Sequence, residues 1–283
     1  KKFLAQHKIS KSSVAAIGLS GQTLFHKPKG KYPFSIQAGD PKIVANKCEI
    51  DVVSDFRNDH IKFGGEGAPL VPEFHQKIFS KKNVPLVVLN IGGISNFTYL
   101  NGRENFYGSD CGPGNALMDI FCQKFLYRPF DKNGEHAKSG KVHIPSLNKM
   151  LSHPFFKRRH PKSTGKEIFN IEFIPKQLLK KSSNDILATL TELTAISIAK
   201  SLLSLKKSPY QVIACGGGVK NSFLMSAIEK HTKLSVTSTS EYGFNPQAIE
   251  AMAFGWMARQ RIFNNPLIVK KNKGLLGTIT KSR

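Results

Sequence analysis

FYGSDCGPGNALMDIFCQKF, residues Phe106 to Phe125, is the stretch from which the rest of this 283-residue chain can be read. Asp110 stands at what reads as the end of a short strand. Gly112-Pro113-Gly114-Asn115 follows, and then Ala116, Leu117, Ile120, Phe121 and Phe125 recur at helical spacing. The pattern predicts a carboxylate on a tight glycine turn just before the N-terminus of an apolar-faced helix. Backbone N–H groups are unpaired at such a place, and glycines let a ligand approach the main chain. Taken locally, the better reading is a strand-turn-helix corner with Asp110 as a capping acid.

On either side lie two more glycine turns fed by apolar strands. Leu86 to Ile91, LVVLNI, runs into Gly92-Gly93-Ile94-Ser95-Asn96, and Phe97, Tyr99 and Leu100 read as a returning strand that ends at the Asn101-Gly102 turn. Such a hairpin tip can wrap phosphate oxygens with backbone N–H groups, although many hairpins carry glycines. Gln211 to Cys215 is a strand that enters Gly216-Gly217-Gly218-Val219-Lys220-Asn221, with Asn221 capping the next helix. Three consecutive glycines are costly in backbone entropy and suit a flat ligand lying on main chain. Their spacing matches neither G-x-G-x-x-G nor G-x-x-x-x-G-K-[ST].

Further out the signals are plainer. Val14 to Leu19 reads as a buried strand, Phe34 to Ala38 as a half-buried one, and Ile50 to Val53 as a third. Asp40 precedes Pro41, which can open a helix. Phe63 to Pro72 is a loop with defined turns. Asp55, Arg57 and Glu66 beside it are either ligand-facing polar groups or an ordinary surface ion pair. Pro161 to Gly165 is a basic, glycine-containing loop that reads as a turn in preference to a phosphate contact. A structural helix spans Asp185 to about Leu205, capped by Ser183 or Asn184. Asn245-Pro246 opens a last helix, on which Glu250 reads as a solvated acid off the apolar face. Lys81 to Pro85 is a polar break and the expected domain boundary.

Composition narrows the class. The net charge is +23 from 42 basic residues, but the lysines are spread in twos along the chain. That distribution fits a general lysine bias better than a nucleic-acid surface, and it would attract phosphorylated or carboxylated small ligands. Four scattered cysteines without a C-x-x-C pair argue against a disulfide framework and suit a reducing, cytoplasmic setting. No uninterrupted apolar run approaches the roughly 18 residues of a membrane span, and Lys1 to Lys8 lacks a signal-peptide pattern.

Taken together these pieces resemble one family, the anhydro-N-acetylmuramic acid kinases of the actin, hexokinase and heat-shock-chaperone ATPase superfamily. The matching segments are SGQT (Ser20–Thr23), QAGDP (Gln37–Pro41), DFR (Asp55–Arg57), GGEGAPLVP (Gly64–Pro72), LNIGGISN (Leu89–Asn96), DCGPGNALMD (Asp110–Asp119), PKSTGKEIFN (Pro161–Asn170), CGGGVKN (Cys215–Asn221) and EAMAF (Glu250–Phe254). They stand in family order across nearly the whole chain. The resemblance implies an α/β fold of two ribonuclease-H-like domains flanking a nucleotide cleft, the actin-like ATPase fold. The first domain is expected over residues 1–83, with 265–283 packing back on it, and the second over 84–264.

The resemblance also implies ATP with Mg²⁺. Asp110 matches the family's general base. Gln22, Asp40, Arg57, Gly65, Asn115 and Glu250 are the expected sugar-binding residues, and Arg57 would take the lactyl carboxylate. Asn90, Gly92, Gly93, Ser95, Asn96, Gly216, Gly217, Gly218 and Asn221 are the expected nucleotide-binding residues. The expected partners are an anhydro-amino sugar and ATP, with nucleic acid and membrane excluded and a homodimer left open. Two features depart from the family. Its opening phosphate loop, G-T-S-x-D-G, has no match before Val14, so the first domain is expected to be N-terminally truncated. Ser20 stands where His is usual, and Cys111 where Thr is common. A non-enzyme alternative is therefore an inactive remnant that keeps nucleotide or muropeptide binding.

Overall fold

The chain path divides into two units, Lys1–Phe74 with Glu250–Arg283, and His75–Ile249. The computed structural model describes residues 1–80, 84–102, 105–165, 167–270 and 272–282. The polar break expected as the boundary is Lys81 to Pro85, of which 81–83 lie outside the described residues. The crossings lie at Phe74/His75 and Ile249/Glu250 rather than at 83/84 and 264/265. Each falls within a helix, Pro72–Phe79 or Ile249–Ile262, where no change of composition marks it.

The N-terminal part of the first unit holds strands β1 (Ile17–Gly18), β2 (Gln22–Lys27), β3 (Phe34–Ala38) and β4 (Val52–Ser54). β1 pairs in parallel with β4, Ile17 opposite Val52. The strand expected over Val14–Leu19 is thus only two residues long and half-buried. β2 and β3 form an antiparallel ribbon with an irregularity between Thr23 and Phe25, and Leu24, Phe25 and Ile36 on it are exposed. The helix Pro41–Cys48 starts where expected. Asp40 caps it, accepting from the N–H groups of Lys42 at 2.7 Å and Ile43 at 3.3 Å.

The second unit is built on β5 (Leu86–Ile91), β6 (Ile94–Leu100), β7 (Phe106–Pro113), β8 (Gln211–Cys215) and β9 (Val236–Ser238). Their order is β7-β6-β5-β8-β9. β5, β6 and β7 are antiparallel neighbours, whereas β8 joins β5 and β9 joins β8 in parallel. A three-strand meander extended by two parallel strands is the ribonuclease-H-like order. β5 occupies the centre because Leu86, Val87, Val88 and Leu89 are apolar on both faces, and all four are buried.

The 21-residue helix Ser183–Leu203 is the core helix of this unit, and its cap is Ser182 rather than Ser183 or Asn184. It is long and apolar enough to cross a bilayer, but 78% of its most apolar window is buried inside the protein. The helix after β7 is shorter than its spacing predicts. It runs Ala116–Phe121 and widens into a looser turn over Cys122–Leu126, which rotates Phe125 off the buried face to 45% exposure. Asn245-Pro246 makes a turn instead of a first helical turn, and the last helix starts only at Ile249.

The chain then re-enters the first unit through β10 (Leu267–Val269), β11 (Asn272–Gly274) and β12 (Thr278–Thr280). β12 pairs antiparallel with β4, completing the sheet β1-β4-β12. Residues 265–283 therefore supply an edge strand to a sheet that the N-terminal residues begin.

Candidate active site

Strand register builds the centre of the site in the second unit. Cys215 on β8 lies opposite Asn90 on β5, Asn90 opposite Asn96 on β6, and Asn96 opposite Asp110 on β7. Residues directly opposite on adjacent strands share a face. Asn90, Asn96 and Asp110, far apart in sequence, thus form one half-buried polar row across the sheet.

Asp110 does not sit on a turn. β7 continues through it to Pro113, and the register shift between Ser95 and Asn96 absorbs the change of direction. Nor does Asp110 cap the following helix, whose cap position is Asn115. Its partners come from the segment 160–164. The Asp110 N–H donates to the Lys162 carbonyl at 2.9 Å, and the Thr164 N–H donates to Asp110 Oδ2 at 2.8 Å. Ser109 fastens the same segment, with Oγ 2.6 Å from His160 Nδ1 and accepting from the Lys162 N–H at 2.9 Å.

Burial pushes the Asp110 carboxyl up to about 6, a rise that the Thr164 N–H and Lys162 reduce and Glu167 increases. The expectation of a carboxylate beside a helix N-terminus, where it would stay ionised, is therefore corrected. Desolvation tunes it towards neutrality, and no helix terminus holds it ionised. Beside it, Thr164 Oγ1 is buried with no hydrogen-bond partner among the described residues. Sequence reasoning assigned Thr164 no role, although the S-T-G run after Pro161 was the signal.

The two glycine segments lie next to this row. Carbonyls of the hairpin tip accept from the start of the next helix: Gly92 from Asn115, and Gly93 from Gly114 and Ala116. Asn115 Nδ2 also donates to the Ile91 carbonyl at 3.3 Å. The Ser95 hydroxyl is buried and donates to the Gly112 and Pro113 carbonyls, so it ties β6 to β7. Asn221 likewise is a helix cap, its Oδ1 accepting from the Leu224 N–H at 3.0 Å.

The three glycines of the second segment have three different reasons. Gly216 has φ +86°, and a Cβ there would lie 2.5 Å from Asn90 Oδ1. Gly218 packs on Ile91, whose Cγ2 would be 2.3 Å from an added Cβ. A Cβ on Gly217 meets nothing within 4 Å. Packing against β5 explains two of them, and only Gly217 fits the expectation of main chain open to a ligand.

In the first unit the expected sugar-binding residues divide sharply. Gln22, Asp40 and Glu250 are exposed, and Asp40 is engaged as a cap. Arg57 is different. Its Nη1 donates to the Gly67 carbonyl at 2.9 Å, and its guanidinium lies 6.0 Å from the Phe254 ring. Its Nε is buried with no hydrogen-bond partner among the described residues. Burial lowers the Arg57 pKa, which the Glu250 carboxylate partly restores.

Gly65 is buried against the ring of His60, where a Cβ would come within 2.1 Å. His60 Nδ1 accepts from the Gly67 N–H at 2.9 Å and so must be unprotonated, in line with burial and the Lys270 and Arg57 charges lowering its pKa to about 4. Glu66 pairs with Lys29 and Lys270, the ordinary surface arrangement. Among the described residues no three His, Cys, Asp or Glu side chains gather as a metal site.

The sequence matches the family described as anhydro-N-acetylmuramic acid kinase over residues 1–280. Curated relatives with that name include one from Gamma-proteobacterium EBAC31A08, 49% identical over 98% of this chain and 77% of its own length. Another, from Pasteurella multocida (strain Pm70), is 44% identical over 94% of this chain and 72% of its own. Among solved structures, the ADPNP-bound activator of the 2-hydroxyisocaproyl-CoA dehydratase from Clostridium difficile aligns at TM-score 0.41 and 13% identity, over 77% of this chain and 71% of its own. That likeness is too slight to carry an argument. Identity at this level over nearly every residue does carry one: the chain belongs to the anhydro-N-acetylmuramic acid kinase family, whose members are ATP-using kinases.

Proposed function

We propose that this protein opens 1,6-anhydro-N-acetylmuramic acid with water and phosphorylates the freed O6, giving N-acetylmuramic acid 6-phosphate in the cytoplasmic recycling of peptidoglycan. The observation that supports it most is Asp110, a desolvated carboxylate with a pKa raised to about 6 and held by one backbone N–H. A base poised near neutral pH can take a proton from water and release it again in each cycle. As the proton passes to the carboxylate, the water oxygen bonds to the anomeric carbon and the C1–O6 bond breaks. O6 takes the γ-phosphoryl group, and ADP leaves. Thr164 Oγ1, which has no hydrogen-bond partner among the described residues, would orient the water beside Asp110.

The nucleotide would lie along Asn90, the tip at Gly92 and Gly93, Asn96 and Gly217, where the backbone of Gly217 is open to it. Mg²⁺ would arrive on the nucleotide and neutralise charge between its phosphates. Arg57 supplies a rigid fork for the lactyl carboxylate, with its buried Nε as the free donor. Gln22, Asp40, Gly65 and Glu250 of the first unit would contact the sugar in this reading, and so, separately, would Asn115 of the second. The test is mass-spectrometric product analysis of protein expressed from its whole reading frame, given anhydro-N-acetylmuramic acid, MgATP and ¹⁸O-water. One ¹⁸O at the anomeric position and one phosphoryl group at O6 are expected. Asp110→Asn should lower kcat by about 10²–10⁴-fold while leaving ATP affinity within a few-fold. Full turnover by that variant would remove Asp110 from the role of base.

A further inference from the structure

The second unit contains a cavity of about 460 Å³ in which Asp110 takes no part. Its walls come from the helix Pro154–Lys157 with the segment that follows it, and from the last turns of the helix Ser183–Leu203. Ser197, Ser201 and Ser204 leave room there because they are small, and each hydroxyl donates to a carbonyl of its own helix.

Six cationic side chains line the cavity, Lys157, Arg158, Arg159, Lys162, Lys200 and Lys206, and no carboxylate does. None of the six is ion-paired among the described residues. Lys162 is only 7% exposed, and its Nζ has the Phe155 carbonyl at 3.3 Å and the Phe155 ring at 4.5 Å. The Asp110 carboxylate attracts the Lys162 ammonium without pairing with it, burial still lowers the Lys162 pKa, and like charges around a concavity repel one another. An anion in the cavity relieves both effects. Concavity separates this cluster from the dispersed lysines elsewhere, because low-dielectric walls focus the field of charges that share a cleft.

We propose that this cavity is a second ligand site, which binds a small phosphoryl-bearing anion. Two adjacent arginines and a buried lysine suit phosphoryl oxygens, which accept several charge-assisted hydrogen bonds at once. The volume lies within the range of about 300–1,000 Å³ typical of small-molecule sites. The segment carrying Lys162 lines the cavity and also supplies the backbone groups that hold Asp110. The proposal stands independently of the reaction proposed above.

The experiment is calorimetric titration of the protein with inorganic pyrophosphate at low ionic strength, with ADP and N-acetylglucosamine 6-phosphate as parallel arms. Whichever of the two binds more tightly identifies a nucleotide or a sugar phosphate as the source of the phosphoryl group. Saturable binding is expected, weakened at least about tenfold in Lys200→Glu/Lys206→Glu. The control is Lys176→Glu/Lys180→Glu, which makes the same charge change at exposed positions outside the cavity and should stay within about twofold. Circular dichroism checks that both pairs fold. Absence of binding, or equal weakening in both pairs, overturns the proposal. So does tighter binding of single-stranded RNA through Lys200 and Lys206, which would make the cluster a nucleic-acid surface.

Discussion

The two units hold their candidate residues in opposite ways. In the second unit, Asn90 on β5, Asn96 on β6 and Asp110 on the edge strand β7 form one row across a five-stranded sheet. Beneath them lies a core cluster of 28 buried hydrophobic residues among those described. In the first unit, Gln22 lies on a ribbon whose β2 strand is exposed throughout, beside a sheet of two- and three-residue strands. Its core cluster holds nine residues among those described. Chemistry that moves a proton needs atoms fixed to a fraction of an ångström, whereas recognition of a sugar tolerates groups that settle on contact. Under the proposed reaction, proton transfer would fall to the unit with the larger core and much of the substrate recognition to the other.

Truncation breaks this comparison most directly. Leu187→Ala in the core helix should cost about 2–5 kcal/mol, whereas Phe25→Ala on the exposed ribbon should stay within about 0.5 kcal/mol. Denaturant titration followed by circular dichroism measures both, and comparable losses would erase the distinction between the units.

pH sharpens it next. Asp110 must be ionised to accept a proton, so log kcat/KM should fall with unit slope below about pH 6 and level off above it. Stability should move the opposite way. A carboxyl whose pKa is raised in the folded state contributes stability below its ordinary value of 3.8, and loses it as pH rises through about 6. Asp110→Asn should therefore raise Tm by about 2–4 °C at pH 8 and leave it unchanged at pH 3.5, as scanning calorimetry would show. In the first unit, Arg57→Lys keeps the charge but removes the planar fork. It should raise KM for the sugar about tenfold with a smaller change in kcat, measured by steady-state kinetics. The smallest effect is expected at Gly217. Ala there meets no atom within 4 Å, so stability should hold while ATP affinity weakens a few-fold, read by calorimetry.

How much could be read in advance differs by element. The hairpin strands LVVLNI and ISNFTYL were legible because their apolar residues are buried and their tip is a glycine pair. The cap at Asn221 and the helix start at Pro41 were legible as local chemistry, whereas the capping role of Asp40 emerged only in the structure. The course of β7 through Asp110 was not, since Gly112 and Pro113 look like a turn unless a neighbouring strand pairs with them. The first strand of the chain was overestimated for a similar reason. Val14 to Leu19 is apolar enough for a strand, but pairing with β4 extends only over Ile17 and Gly18.

By itself the sequence determined the family and the alternation of strands, glycine turns and helices, and it singled out Asp110 as the candidate acid. Those depend on residue type and on spacing along the chain, which local sterics and periodicity translate directly. Only the tertiary structure decided which polar residues meet. Register sets Asn90, Asn96 and Asp110 side by side, and the segment at Thr164 reaches Asp110 from 54 residues away. It also decided the charge state of Asp110. The FYGSDCGPGN stretch contains the carboxyl group, but the desolvation that moves its pKa to about 6 comes from chain packed around it, and no local pattern encodes that burial.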